Sequence, residues 1–303
     1  MVLASLPDAD WLADVGPIPG VDTLVWDPRD PAPDAPIEVV VARYIGAARH
    51  IAHVASVPSV RLVQLLTAGF DGVPEQLPDH IAVANAAGLH DDSTAELALA
   101  LTLAAQRGLP DFVRDQDRGV WHPAWRPSLA DRRVLLVGYG SVGRAIVRRL
   151  LPFEARVTAV ASRSRPGDEL VDAVHGTDEL PALLPDAEIV IVVVPLLDAT
   201  RGLVDEAFLG ALPDGALVVN VARGPVADTA AILRHAGRLR FALDVTDPEP
   251  LPDGHPLFTA PGVLISPHVG GLSSAMRPRA IRLLRDQLGR LGRGEPPVNI
   301  VRG

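Results

Sequence analysis

"VLLVGYGSVGRAIVRRLL", residues 134 to 151, decides how the rest of the chain is read. An apolar run of strand length passes into Gly138-x-Gly140-x-x-Gly143, and a run of helix length follows at once. The first glycine permits a tight turn, the second lets a pyrophosphate approach the backbone, and the third lets helix and strand pack closely. The amides that open the helix, those of Ser141 and Val142 among them, are then the donors for phosphate oxygens. A bare glycine pattern is weak evidence, but the strand before it and the helix after it supply the context a dinucleotide site needs. A merely structural tight turn and a different adenosine ligand, such as the methyl donor of a methyltransferase, are the alternatives at this point.

Working outward, apolar strands recur at "RVTAVA" (156), "EIVIVVV" (188), "ALVVNVA" (216), "RFALDV" (240) and "GVLIS" (262), separated by helix-like segments. That alternation predicts an α/β fold, a Rossmann-type doubly wound parallel sheet with helices on both faces. The first hundred residues repeat the theme more loosely at "TLVWD", "IEVVVARY", "VRLVQLL" and "IAVANA", which predicts a smaller, flavodoxin-like α/β outer domain. "DPRDPAPDAP" (27 to 36) reads as a surface connection, because proline lacks an amide donor and fixes its torsion. Two long helices are expected to link the domains. "STAELALALTLAAQR" opens with a capping box, Ser93 and Glu96, and "SSAMRPRAIRLLRDQLGRL" follows 273. With the tail "GEPPVNIVRG" returning to the first domain, the outer domain is expected to be discontinuous, 1–97 and 273–303, around a dinucleotide-binding domain at 98–272.

Composition narrows the chemistry. The 303 residues carry a formal net charge of −9 and no long basic run, which argues against a nucleic-acid partner. The longest apolar run, "IVIVVVPLL" from Ile189, is too short to cross a bilayer, and the N-terminus lacks the features of a secretory signal, so a cytoplasmic enzyme without a membrane partner is expected. The chain has no cysteine and no lysine, which removes thiol nucleophiles, cysteine-ligated zinc, Schiff-base chemistry and a phosphate-loop lysine together. His, Asp, Glu, Arg and hydroxyls remain, and no metal site is expected.

The second strand of the nucleotide-binding pattern ends in an unusual way. An acidic residue that grips the ribose of NAD is normal there, and this chain has Ser162, Arg163 and Arg165 instead. A carboxylate would repel a ribose 2′-phosphate, whereas a guanidinium binds that dianion through paired hydrogen bonds. The expected cofactor is therefore NADP, with NADPH preferred. The competing reading makes both arginines ordinary surface residues of an enzyme that takes either NADPH or NAD.

Five blocks lie at strand ends or in the first domain: "LLTAGFDGV" (65 to 73), "NAAGLHDDSTAELALALTLAAQR" (85 to 107), "VVNVARGPVAD" (218 to 228), "ALDVTDPEPLP" (242 to 252) and "LISPHVGG" (264 to 271). In order and spacing they closely resemble the D-isomer-specific 2-hydroxyacid dehydrogenases, from about residue 60 to the end. The resemblance implies a reductase of small 2-keto acids of the glyoxylate/hydroxypyruvate kind, whose needs are a hydride donor, a cation for the substrate carboxylate, and an acid for the carbonyl oxygen. It implies Arg223 as the cation, His268 as the proton donor, and Glu249 as the carboxylate that orients the imidazole. Taken singly, each has a bland reading: a strand-end arginine paired with Asp228, a loop histidine, a turn residue before Pro250.

The resemblance extends to supporting positions. It implies cofactor contacts at Thr94, Val194, Pro195, Ala222 and Asp244, substrate-carboxylate amides at Ala68 and Gly69, and Asn85 as a support of that loop. Tyr44 is a further candidate for the substrate pocket. The chain departs from the family pattern in the missing acidic residue and in an outer domain trimmed near its N-terminus. Phosphite dehydrogenases of the family rely on an active-site lysine that is absent here, and formate dehydrogenases use additional amide side chains where this chain has three asparagines in all. The rival from another class is a non-enzymatic NAD(P)-sensing scaffold of corepressor type, which shares the fold. A homodimer is implied as well, with "GLPDFVRDQDRGVWHPAW" (108 to 125) as its arm and Trp121 and Trp125 as anchors or, failing that, core residues.

Overall fold

The structure is a computed structural model that describes residues 1 to 46 and 50 to 303. It divides into two compact units, Met1–His90 with Ser274–Gly303, and Asp91–Ser273.

The second unit is built on an eight-stranded sheet. Its strands are β6 (Arg133–Val137), β7 (Arg156–Ala161), β8 (Arg165–Pro166), β9 (Ala173–Gly176), β10 (Ile189–Val192), β11 (Leu217–Asn220), β12 (Arg240–Leu243) and β13 (Val263–Ile265), in the order β13-β12-β11-β10-β6-β7-β9-β8. All pairs are parallel except β8–β9. Every residue of β10 and β11 is buried, the mark of a sheet covered on both faces, and this explains why these strands read as unbroken apolar runs. One face packs Val190, Val218 and Phe241 against Phe208, Leu209 and Ile232 of the helices Glu206–Ala211 and Thr229–His235. The other packs Leu136, Ile191 and Val219 against Ala98 and Leu99 of the helix Asp91–Arg107 and Ile146 of the helix Ser141–Leu150. The chain leaves β6 toward β7 on one side and later returns to β10 on the other. The glycine turn at the end of β6 therefore lies at the topological switch point, where an open parallel sheet binds its ligand.

The first unit holds a six-stranded sheet in the order β14-β5-β4-β3-β1-β2. The strands are β1 (Val2–Leu6), β2 (Val21–Val25), β3 (Val39–Val41), β4 (Leu62–Gln64), β5 (Ala82–Ala84) and β14 (Ile300–Arg302), of which only β14 runs antiparallel. The parallel part has the flavodoxin-like order, with its switch between β1 and β3. Leu284 and Leu288 of the helix Met276–Gly292 pack on one face, with Trp11 and Val15 of the helix Ala9–Val15.

One local expectation is overturned. The long helix begins at Asp91, not after Ser93, so Ser93 lies inside the first turn and is no cap. Asp91 and Asp92 supply the acidic start that favours a helix N-terminus, and the buried Ser93 hydroxyl bonds instead to that of Ser273, at 2.7 Å. No helix among the described residues is long and apolar enough to cross a membrane, and no group of His, Cys, Asp or Glu among them could hold a metal ion.

Candidate active site

The glycine turn has the geometry its spacing predicts. Gly138 sits at φ +115°, and a Cβ there would lie 2.6 Å from the Val193 carbonyl oxygen, so only glycine fits. A Cβ on Gly143 would lie 2.1 Å from the carbonyl oxygen of Gly138, which is the close packing of helix on turn. A Cβ on Gly140 would meet no protein atom within 4 Å, leaving this residue open to an approaching group. Ser141 and Val142 form the first turn of the helix that follows. A pyrophosphate fits this cradle, since it finds unpaired amides and the positive end of a helix dipole there.

Ser162, Arg163 and Arg165 are exposed just beyond β7. Among the described residues Arg163 has no hydrogen-bond or ion-pair partner. Arg165 donates to the Tyr139 carbonyl at 2.9 Å, and its guanidinium lies 5.8 Å from that ring's centroid. Sequence reasoning missed the acidic neighbours of this corner. The β8–β9 hairpin carries Asp168 and Glu169 back to Arg144, which pairs with both, and the Tyr139 hydroxyl donates to Asp168 at 2.8 Å. Val194 packs against the core after β10, and Pro195 follows it in a turn whose carbonyl accepts from Thr200 Oγ1 at 2.6 Å.

At the end of β13 the chain turns through "SPHVGG", and His268 adopts φ +53°, a left-handed conformation that a side-chain-bearing residue rarely takes. Asp244, at the end of β12 and 3% exposed, holds this turn in place. Its Oδ1 accepts from Ser266 Oγ at 2.6 Å and from the Val269 amide at 2.9 Å, its Oδ2 accepts from the Gly270 amide at 2.9 Å, and its carbonyl accepts from the His268 amide at 2.7 Å. Thr94 lies at the same place, for a Cβ on Gly270 would be 3.4 Å from its Oγ1.

His268 Nδ1 is 2.7 Å from Glu249 Oε1, with the two side chains 42% and 43% exposed. That hydrogen bond holds the imidazole pKa above its ordinary value, against burial and the positive charge of Arg223, which push it down. The same bond, with further help from Arg223, holds Glu249 below the ordinary carboxylate range. The charge of Arg223 acts electrostatically on both members of the pair, lowering both pKa values. Arg223 follows β11 on a strand-end loop fixed by the buried Asn220, whose Oδ1 accepts from the Ala222 amide at 3.0 Å and whose Nδ2 donates to the Arg223 carbonyl at 3.3 Å. Asp228 caps the helix Thr229–His235 and pairs with Arg234. Asn220 was legible only as a polar residue ending an apolar strand.

In the first unit, Ala68 and Gly69 lie on the loop after β4. The Thr67 carbonyl accepts from the Ala86 amide at 2.8 Å, that of Ala68 from Asn85 Nδ2 at 2.7 Å, and that of Gly69 from Thr67 Oγ1 at 2.6 Å. In a trans peptide the N–H points opposite its C=O, so pinning these carbonyls turns the amides of Ala68, Gly69 and Phe70 the other way. None of those amides donates to an acceptor among the described residues, and together they make a cradle for an anion. Tyr44 follows β3 and is partly buried, its ring 5.3 Å from that of His90, and burial pushes its hydroxyl pKa up. The preceding Arg43 is held by Asp27, whose pKa is pushed up by burial but brought down to about 2 by hydrogen bonds from Arg29 and Arg43.

Against known proteins, residues 99–270 match the family model of the D-isomer specific 2-hydroxyacid dehydrogenase, NAD binding domain. The chain is 31% identical over 255 residues to a glyoxylate reductase of Thermofilum pendens, covering 80% of this chain and 75% of that protein. It is 29% identical over 289 residues to the human glyoxylate reductase/hydroxypyruvate reductase, covering 89% and 88%. Among solved structures, a D-isomer specific 2-hydroxyacid dehydrogenase from Xanthobacter autotrophicus, determined with NADPH and MES, superposes with a TM-score of 0.79 at 29% identity over 99% and 98% of the two chains. A family protein from Aeromonas salmonicida reaches a TM-score of 0.83 at 23% identity over 99% and 97%, a likeness of fold.

Proposed function

This chain belongs to the D-isomer specific 2-hydroxyacid dehydrogenase family and is an NAD(P)-dependent enzyme, and we propose that it reduces small 2-keto acids such as glyoxylate or hydroxypyruvate to D-2-hydroxy acids with NADPH. The observation that carries this reading is the His268–Glu249 contact at 2.7 Å under the charge of Arg223. Reduced nicotinamide supplies the hydride. With Nδ1 committed to Glu249, Nε2 of His268 is the atom that holds the proton for the carbonyl oxygen. Glu249 favours the imidazolium form, and Asp244 keeps the ring's backbone in its strained turn. Arg223, with its planar fork, is suited to hold the substrate carboxylate and to polarise the neighbouring carbonyl. The role of the first unit, 1–90 with 274–303, is carboxylate binding on the amides of Ala68 and Gly69, with Tyr44 as a further substrate contact. The second unit holds the cofactor: Gly138, Gly140, Ser141, Val142 and Gly143 at the pyrophosphate, Val194, Pro195, Ala222, Thr94 and Asp244 along its length, and Ser162, Arg163 and Arg165 at the 2′-phosphate.

The preference for NADPH rests on exposed guanidiniums after β7 where a carboxylate would repel the phosphate, and on NADPH in the Xanthobacter relative. A homodimer is supported by the segment 119–128, in which every residue is exposed and Trp121 and Trp125 stand 95% and 102% accessible. Isolated aromatic pairs this bare are costly in water, and a second copy of the chain is the partner we infer. Monitoring NADPH absorbance across a panel of 2-keto acids tests the reaction: saturable oxidation with glyoxylate or hydroxypyruvate supports it, and negligible turnover of the whole panel favours a non-catalytic scaffold.

A further inference from the structure

Two glutamines, each 1% exposed, lie in the first unit where an apolar residue would be the cheaper choice. Gln64 ends β4, and Gln287 lies on the helix Met276–Gly292. Their side chains form a single file. The Val298 amide donates to Gln287 Oε1 at 2.9 Å, and Gln287 Nε2 donates to the Val298 carbonyl at 3.0 Å and to Gln64 Oε1 at 2.8 Å. Gln64 Nε2 donates in turn to the Leu65 carbonyl at 2.7 Å and to the Asn85 carbonyl at 3.2 Å. Asn85 then gives its own amide to the Asn299 carbonyl at 3.0 Å and its side-chain Nδ2 to the Ala68 carbonyl at 2.7 Å.

Each member has one orientation open to it. A backbone N–H at Val298 requires the oxygen of Gln287, and two backbone carbonyls require the nitrogen of Gln64. Both hydrogens of each glutamine nitrogen are used, so the file is fully satisfied, and such buried networks rigidify what they touch. What it touches last is the carbonyl whose direction turns the Gly69 amide outward.

We propose that Gln287 and Gln64 are positioning residues for substrate binding: through Asn85 they fix the carboxylate-binding loop against the helix and tail that close the chain. The proposal rests on the reading of that loop as the carboxylate cradle. A purely structural role for the file would lower stability and active fraction, leaving the affinity of correctly folded molecules for the keto acid unchanged. A positioning role acts on that affinity.

The test uses the full-length enzyme with NADPH and the variants Gln287→Met and Gln64→Met, which keep shape and remove the hydrogen bonds; the second stands in if the first does not fold. Expected is a KM for glyoxylate raised about tenfold, with kcat and the KM for NADPH within about twofold of wild type, and weaker oxalate binding by calorimetry in parallel. The double variant should be no worse than the poorer single one, because both cut the same file. Unchanged KM and oxalate affinity in a folded variant, or additive effects in the double variant, would overturn the proposal. Wild-type protein that binds oxalate but turns over no keto acid counts against the reaction and leaves the file to be judged by oxalate affinity. Wild-type protein that does neither overturns both.

Discussion

Replacing Asp244 by asparagine should disable catalysis while sparing the fold. The carboxylate accepts three hydrogen bonds, from Ser266 Oγ, the Val269 amide and the Gly270 amide, at 2.6, 2.9 and 2.9 Å. Asparagine can keep its oxygen toward Ser266 and Val269, but its NH2 then meets the Gly270 N–H, donor against donor. A lost charge-assisted bond costs roughly 1.5–3 kcal/mol, and a buried amide left without an acceptor costs about 1–3 kcal/mol. If only about 3 kcal/mol of this falls on the turn that holds His268 at its left-handed torsion, turnover drops by roughly 100-fold. The core clusters of the second unit do not include this turn, so the fold is expected to persist with a melting point lower by roughly 6–12 °C. Steady-state glyoxylate reduction and a thermal melt measure both. An Asp244→Asn enzyme with kcat within about threefold of wild type and an unmoved pH profile would refute the reasoning, since the turn would then stand without its acceptor.

Glu249→Gln removes the negative charge behind the hydrogen bond that raises the His268 pKa, so the protonated ring is lost at lower pH; the falling limb of kcat/KM for keto-acid reduction should move downward in pH, and a limb that stays put would free Glu249 from its role. Arg163→Ala should lower kcat/KM for NADPH by about 10- to 100-fold and leave that for NADH nearly unchanged, as steady-state comparison of the two cofactors would show; equal losses with both would remove the 2′-phosphate contact. If the proposed homodimer forms through these rings, Trp121→Ser combined with Trp125→Ser should shift the protein toward monomer in sedimentation equilibrium, and an unaltered mass would place those rings outside any interface.

The strands around the glycine turn were legible because a sheet buried on both faces writes itself as apolar runs, and "EIVIVVV" contains the fully buried β10, Ile189–Val192. The β8–β9 hairpin was not, since Arg165–Pro166 are exposed and polar or cyclic, with pairing decided by tertiary contact. The same blindness hid Asp168 and Glu169 from the reading of that corner. Arg223, Glu249 and His268 were singled out by the resemblance of their blocks to a family, and those blocks follow β11, β12 and β13 at the carboxyl ends of a parallel sheet, where such a sheet places its ligands. The triple duty of Asp244 had no signal, because the acceptors of a buried carboxylate are set by backbone path and not by residue type. Gln64 and Gln287 meet across 223 positions of chain, a separation that no periodicity spans.

The most direct measurement compares wild type with His268→Ala in glyoxylate-dependent oxidation of NADPH, with cofactor affinity read separately by fluorescence. Loss of a general acid should cut kcat by about 100- to 10,000-fold while NADPH binds as before. An alanine enzyme that turns over at the wild-type rate would contradict the account at its centre.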